Sequence, residues 1–178
     1  EITSYERHPY YAQYVLEVPD NWSSDLYYNV PLEEFMAIIN HALEHGYTVA
    51  WDGDVSDRGF SSGKGLAVVP VKDWNDMTEK ERDQVFEELP EEKTIDMDLR
   101  QQAFDDFSTT DDHLMHITGV FQAPDGRRFY LTKNSHGADR NDYGGYVYMS
   151  EAYVRLGTVA IMVHKDAIPK DIANKLGL

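Results

Sequence analysis

Two residues of the sequence, His113 and Asn134, are of types that can perform acid–base chemistry as a pair. An asparagine can accept a hydrogen bond from one ring nitrogen of a histidine and hold one tautomer, which leaves the other nitrogen free to serve a nucleophile. The sequence contains no cysteine, so this chain supplies no thiol nucleophile, no disulfide and no thiolate metal site. The pair is therefore either a packed polar contact or part of a site whose nucleophile lies elsewhere.

The spacing of the two residues predicts that they share one face of a hairpin. The strand that begins at His113 and the strand that ends at Asn134 are joined by a turn at residues 123–126, Ala-Pro-Asp-Gly. If the loop contains two or four residues, strand pairing places His113 and Asn134 on the same face and His116 on the other. A three-residue loop would reverse that assignment. We predict that His113 meets Asn134.

The elements that must position this pair are predicted to be mostly helices before residue 113 and mostly strands after it. Hydrophobic periodicity, capping residues and turn residues define these elements. Their order predicts an α+β fold with an antiparallel sheet. The predicted helices cover 31–46, 78–88, 96–107 and 169–176, with a shorter helical segment at 150–156, and the predicted strands cover 11–18, 47–51, 113–121, 127–134, 146–149 and 158–163.

Most of the negative charge lies in one segment. Of a formal net charge of −16, residues 73–112 contribute fifteen acidic and four basic side chains, a net −11. The helices predicted at 78–88 and 96–107 fall in this segment. We interpret residues 73–110 as an acidic helical insertion with a solvated face. A docking surface for a cationic partner is the alternative.

The composition argues against two kinds of partner. With 32 acidic and 16 basic residues, the chain lacks the positive charge that binding to nucleic acid requires. No apolar run reaches 18 residues, so no membrane-spanning helix is expected. The N-terminal residues do not resemble a signal peptide. The chain begins at Glu1 rather than Met, which is compatible with the removal of an upstream piece.

Neither a metal ion nor another cofactor is expected from the sequence. His41 and His45 are four residues apart on a predicted helix, a spacing that can bind a metal, but no third ligand accompanies them. Asp52, Asp54 and Asp57 lie in a loop, but the twelve-residue calcium pattern that ends in Glu is missing.

Three segments, in order, resemble those of papain-type cysteine peptidases. Residues 112–119, Asp-His-Leu-Met-His-Ile-Thr-Gly, are similar to the histidine segment, in which Asp-His opens a strand that ends near a Gly. Residues 133–137, Lys-Asn-Ser-His-Gly, resemble the Lys-Asn-Ser-Trp-Gly asparagine motif. Residues 144–150, Gly-Gly-Tyr-Val-Tyr-Met-Ser, resemble the Gly-Tyr strand that follows.

Within this family, the sequence most resembles the bleomycin hydrolase and aminopeptidase C branch. Members carry a helix, a strand like residues 47–51 and a Gly-Asp-Val element like residues 53–55. They also carry an acidic helical insertion before the histidine and a Met-Ser-Glu segment like residues 149–151. The resemblance covers nearly the whole chain, and it implies the C-terminal half of a papain-like peptidase, with a barrel-like antiparallel sheet.

The resemblance implies a role for four residues. His113 would be the general base and acid, and Asn134 would orient its ring. Asp112 would help to keep the imidazolium form through its charge. His136 stands where the family has a Trp that shields the His–Asn hydrogen bond, so it would shield that bond less well.

The activity implied is peptide-bond hydrolysis, of the aminopeptidase type, by a Cys-His-Asn enzyme. The catalytic Cys and the oxyanion-hole Gln of the family belong to its N-terminal half, so the expected partners are a peptide substrate and a Cys-bearing half of the same protein. This chain alone is expected to be inactive, and a homo-oligomer is compatible with the family. The family slightly favours the cytoplasm, but export remains open. The other hypothesis is a catalytically inactive module that binds a peptide or a protein partner.

Overall fold

The computed structural model describes residues 1–178 and has a mixed α+β architecture of ten strands and five α-helices. The helices are α1 (Leu32–Glu44), α2 (Glu79–Gln84), α3 (Met97–Asp105), α4 (Glu151–Gly157) and α5 (Lys170–Leu176). The strands are β1 (Ile2–Thr3), β2 (Gln13–Val15), β3 (Leu26–Asn29), β4 (Val49–Gly53), β5 (Phe60–Ser61), β6 (Leu66–Ala67), β7 (His113–Gln122), β8 (Arg128–Lys133), β9 (Tyr146–Ser150) and β10 (Thr158–Met162). The predicted α+β class is confirmed.

All ten strands belong to one sheet, in the order β2-β3-β1-β10-β4-β7-β8-β9-β6-β5. The sheet is antiparallel, as predicted, apart from two parallel pairs, β1 with β3 and β6 with β9. Both parallel pairs join strands that are distant in sequence. Such pairs depend on the path of the chain between them rather than on a local turn.

The main core lies between α1 and one face of the sheet. Phe35, Ile38 and Ile39 of α1 are fully buried, and they belong to one cluster with Trp51 and Ile117 of the sheet. The indole Nε1–H of Trp51 donates to the Thr158 hydroxyl at 2.7 Å. This central packing holds β4, β7 and β10 together, and β7 begins at His113.

The hairpin between β7 and β8 differs from the predicted one in two ways. Its loop has three residues, Pro124–Gly126, because the Ala123 N–H donates to the Arg127 carbonyl across it. The ladder also contains a bulge: Gly119 pairs with Leu131, but Ile117 pairs with Thr132, so Thr118 is an extra residue. The three-residue loop alone would place His113 and Asn134 on opposite faces of the hairpin. The bulge shifts the pairing by one residue and returns them to the same face.

The acidic segment contains the two predicted helices, both shorter than expected. Thr78 caps α2 in a capping box with Glu81, and the Asp96 carboxylate accepts the Leu99 N–H at the start of α3. Phe107, at the end of the helix predicted over 96–107, lies beyond α3 and is 81% exposed. On α3, the side chains of Arg100 and Gln101 are buried, and the Arg100 guanidinium donates to the carbonyls of Ser4 and Arg155.

None of the helices combines the length and the apolar character that crossing a bilayer would require.

The Trp51–Thr158 hydrogen bond should contribute measurably to stability. Replacing Thr158 with Val keeps the shape but leaves the buried indole N–H without its acceptor, so we expect the free energy of unfolding to fall by about 1–3 kcal/mol. Chemical denaturation would measure this change. Thr94→Val, at an exposed threonine, is the control and should change the value by less than about 0.5 kcal/mol. Equal losses in both variants would contradict the prediction.

Candidate active site

The structure brings His113 and Asn134 together. His113 is the first residue of β7, and Asn134 directly follows β8. The two side chains are joined by a hydrogen bond between His113 Nε2 and Asn134 Oδ1, at 3.0 Å. The same Oδ1 accepts the backbone N–H of Ser135 at 2.7 Å, which fixes the orientation of the amide. His113 Nε2 must therefore be the donor, and its Nδ1 is left to interact with another group.

The bulge explains why His113, rather than His116, makes this contact. In a regular ladder continued from the three-residue loop, Asn134 would stand opposite His116. The extra residue Thr118 shifts the pairing by one, so His116 pairs with Lys133 instead and its side chain lies on the other face. There its Nε2 is 2.6 Å from the hydroxyl of Thr48.

Asn134 is almost completely buried, with 3% of its surface exposed. Its Nδ2 amide is buried without a hydrogen-bond partner. The Asn134 Oδ1 accepts two hydrogen bonds, one from the His113 ring and one from the Ser135 backbone N–H. A buried asparagine held this way restricts the orientation of the imidazole.

A tight loop closes behind Asn134, and sequence reasoning did not identify its central residue. The Asn141 Oδ1 accepts the backbone N–H groups of Tyr143 and Gly145, and its Nδ2 donates to the carbonyls of Ser62 and Tyr146. Gly145 must be a glycine, because it has a φ of +77° and a Cβ there would lie 2.2 Å from the Gly137 carbonyl oxygen. An Asn followed by a Gly-Gly pair is the signal that could have indicated this turn.

His136 lies against His113. The two imidazole rings are stacked with centroids 5.5 Å apart and an angle of 16° between their planes. His136 itself is exposed, and it covers one side of the His113 ring. Its predicted role as a weaker shield stays a prediction.

Asp112 accepts hydrogen bonds from the neighbouring loops and not from His113. Its carboxylate accepts the backbone N–H groups of Val55 and Ser56 and the hydroxyl of Thr110. Partial desolvation raises the pKa of Asp112, but the hydrogen bonds from Thr110 and Ser56 outweigh this effect, and the pKa lies below its ordinary value. Asp112 thus fastens the start of β7 to the turn after β4.

Asp54 reinforces the same junction from the other side. It is 2% exposed, and its carboxylate accepts the backbone N–H groups of Ser56, Asp57 and Thr110. Burial raises the pKa of Asp54, although these hydrogen bonds oppose the effect. The two carboxylates together fix the position at which His113 leaves the loop.

A second group of acidic side chains lies beside the start of β7. Asp20, Asp52 and Asp111 bring carboxylate oxygens within 4.8 Å of one another. Burial, and then the charge of Asp111, raise the pKa of Asp52 to about 8. Burial also raises the pKa of Tyr5 to about 12, an effect that Arg100 opposes and that the charges of Asp52 and Asp111 increase. Sequence reasoning did not bring these three carboxylates together.

The two helical histidines use their ring nitrogens on backbone carbonyls. His41 Nδ1 lies 2.8 Å from the Ala167 carbonyl, and His45 Nδ1 lies 2.8 Å from the His41 carbonyl, with the two rings stacked at 3.9 Å. No other histidine or acid joins them in a metal-binding group.

The fold that carries this site is the α+β fold of the papain-like peptidases. The structure is similar to that of PepW from Lactobacillus rhamnosis HN001, with a TM-score of 0.67 and 17% sequence identity. The likeness covers 99% of this chain and 37% of the PepW chain. The chain therefore corresponds in length to little more than a third of that protein. No curated protein sequence matches.

The family follows from the sequence as well as from the fold. The profile of the Peptidase C1-like family matches residues 3–177, and the chain belongs to that family. The sequence resemblance to papain-like peptidases is confirmed, and a peptidase-related function is supported. The assignment to the bleomycin hydrolase branch and the division of the site between two halves are proposals beyond these two findings.

The hydrogen bond of the site can be tested on this chain by NMR. Replacing Asn134 with Ala removes the acceptor of the His113 Nε2–H, so we expect its exchange with water to accelerate by about tenfold. The measurement is the line width of the imidazole N–H proton resonance. His116→Ala, on the opposite face, is the control and should leave this resonance unchanged. An unchanged resonance in Asn134→Ala would show that Asn134 does not hold the ring.

The carboxylate of Asp112 should make a pH-dependent contribution to stability. Because its pKa is lowered by folding, this contribution is present above its ordinary pKa of 3.8 and is lost as the pH falls through the lowered value. Wild type should therefore exceed Asp112→Asn in Tm at pH 6, and the difference should shrink at pH 3. Thermal unfolding at both pH values measures it. A difference that is constant or grows in acid would refute the assignment.

Proposed function

We propose that His113 and Asn134 are the general base and its orienting partner in a cysteine-type peptidase of the bleomycin hydrolase and aminopeptidase C branch. The observation that carries this proposal is the hydrogen bond at 3.0 Å from His113 Nε2 to Asn134 Oδ1, which leaves Nδ1 as the acceptor. That arrangement leaves one ring nitrogen to accept a proton from a nucleophile. Membership of the Peptidase C1-like family supports the reaction class.

The nucleophile is supplied from outside this chain. The sequence has no cysteine, and the chain spans 37% of the length of PepW. We place the catalytic Cys, together with a Gln for the oxyanion hole, on a further segment of the same protein. The partners are therefore that Cys-bearing half and a peptide substrate, and residues 1–178 form the portion that carries the histidine and the asparagine.

In the assembled site, His113 Nδ1 would take the proton of the Cys thiol and form a thiolate–imidazolium pair. The thiolate attacks the peptide carbonyl carbon, and the C–N bond breaks as His113 returns its proton to the leaving amine. His113 then takes a proton from water, which hydrolyses the acyl-enzyme and restores the thiol. Asn134 keeps the ring in one orientation throughout, and the stacked His136 covers one of its faces.

Other features have supporting roles in the proposal. The charge of Asp112 favours the imidazolium even though its carboxylate is not bonded to the ring. Residues 73–110 are a helical insertion, and Thr110 at its end hydrogen-bonds to Asp112. Aminopeptidase specificity rests on the branch resemblance alone, and a homo-oligomer is a further possibility that the branch suggests.

The proposal predicts a large difference between two neighbouring histidines in the complete, Cys-bearing protein. His113→Ala should lower kcat for a peptide substrate by about 10²–10⁴-fold, because the general base is lost. Asn134→Ala should lower it by less, since the base remains. His116→Ala is the matched control, only three residues away but on the other face, and should retain kcat within about twofold. Near-normal kcat in His113→Ala would remove His113 from its role.

The isolated chain provides a second test. Residues 1–178 alone should neither hydrolyse peptides in a thiol-dependent way nor react with a thiol-directed inhibitor, because they contain no thiol. The complete protein should do both. If the natural product that contains this chain has no Cys-bearing segment, the second hypothesis applies, namely an inactive papain-like module that binds a peptide or a partner. Sequencing upstream of Glu1 and weighing the native protein distinguish the two.

A further inference from the structure

We propose that a groove along the free edge of β2 is a docking site for an extended basic peptide segment with apolar side chains. The groove lies between residues 14–19 on one side and residues 101–111 on the other, and its volume is about 670 Å³. Neither His113 nor Asn134 lines it. The docking site is therefore separate from the candidate catalytic pair and does not depend on the proposed peptidase function.

The backbone of β2 offers an unpaired edge to this groove. β2 is the last strand at one end of the sheet and pairs only with β3, so one side of its backbone has no strand partner. Six consecutive residues, 14–19, line the groove. Successive side chains of a strand point to opposite faces, so a groove on one face would contact only alternate residues. The consecutive lining indicates a groove that runs along the edge, where an extended peptide can pair its backbone.

The wall opposite β2 offers aromatic surface from Phe104 and Phe107. Phe107 is 81% exposed and has a φ of +60°, a left-handed backbone conformation that a bulky residue rarely adopts. The turn that follows it is held by the Thr109 N–H, which donates to the Ala103 carbonyl at 2.8 Å. The Phe107 ring is thus held at the open side of the groove, and an aromatic ring in such a position is a common anchor for a bound partner.

The charge of the groove is negative and favours a cationic occupant. Its lining includes three acidic side chains and one arginine. Arg7 is paired with Asp105 through two hydrogen bonds, at 2.7 and 3.1 Å. Glu17 and Asp111 remain, and neither takes part in any of the nine ion pairs of the chain. Lys or Arg side chains of a bound peptide would supply the missing counter-charge.

A basic peptide fits the groove better than a second copy of this chain or a small cation. Two copies, each with a formal net charge of −16, repel each other. A small cation would leave the aromatic wall and the strand edge uncovered. A basic peptide matches the edge, the wall and the uncompensated carboxylates together. It also gives the end of the acidic segment a cationic partner, since Asp105 and Asp111 belong to both the segment and the groove.

Fluorescence anisotropy with three labelled hexapeptides tests the proposal on this chain. The probe Lys-Val-Arg-Leu-Lys-Val should bind at a single saturable site, and more weakly as the NaCl concentration is raised. The charge-reversed probe Glu-Val-Glu-Leu-Glu-Val should bind at least about tenfold more weakly. The probe Lys-Ser-Arg-Ser-Lys-Ser lacks apolar side chains and should lose affinity to a similar extent.

Substitutions of two exposed residues locate the site. Phe107→Asn removes the ring but suits the left-handed backbone, so the fold should persist while the affinity for the basic probe falls at least about tenfold. Glu17→Gln removes one charge and should lower the affinity by about threefold. Leu89→Ser and Asp83→Asn, at exposed residues outside the groove, are the matched controls and should bind the probe as wild type does.

Several outcomes would overturn the proposal. One is the absence of saturable binding of the basic probe, and another is equal binding of the charge-reversed probe. Wild-type affinity in both Phe107→Asn and Glu17→Gln would remove the peptide from this groove. Loss of binding in His113→Ala, with Phe107→Asn unaffected, would place the peptide at the candidate catalytic pair instead. Self-association of the chain that Phe107→Asn abolishes would assign the groove to a second copy.

Discussion

The backbone ladder between β7 and β8 is the interaction on which the candidate site depends, because it decides which side chains share a face with Asn134. A regular ladder grown from the three-residue loop would have placed His116 opposite Asn134. The extra residue at Thr118 shifts the register and gives that position to the His113 face. A bulge of this kind redirects a side chain at the cost of one unpaired residue, and here it selects the histidine that carries the proposed chemistry.

The loops around the pair keep this register from relaxing. Asp54 and Asp112 accept backbone N–H groups across the junction between β4 and β7, so the strand that begins at His113 starts at a fixed point. Behind Asn134, the side chain of Asn141 holds the turn, and Gly145 allows two backbones to approach closely. The hydrogen bond of the site is thus supported by polar contacts that share no residue with it.

The acidic side chains of the chain lie in two different environments. Asp54 and Asp112 have donors from the backbone, and Glu81 takes part in a helix cap, so their charges are compensated locally. Asp52, in contrast, is buried beside Asp111, and burial together with that neighbouring charge raises its pKa to about 8. The total charge of −16 does not distinguish these cases. The difference matters because the hydrogen-bonded carboxylates fix the loops around the site, whereas Asp52 shares a buried position with the like charge of Asp111.

The sequence by itself determined the features that depend on neighbours along the chain. The helix starts at Thr78 and Asp96, the buried stripe of α1 and the order of the histidine and asparagine motifs follow from local patterns, and the motifs indicated the family. The pairing of His113 with Asn134 was predicted correctly, but from a loop length that was wrong. Only the tertiary structure decided the compensating bulge, the exposure of Phe107 and the meeting of three distant aspartates. Each of these depends on how separate segments pack, and no local spacing records that information.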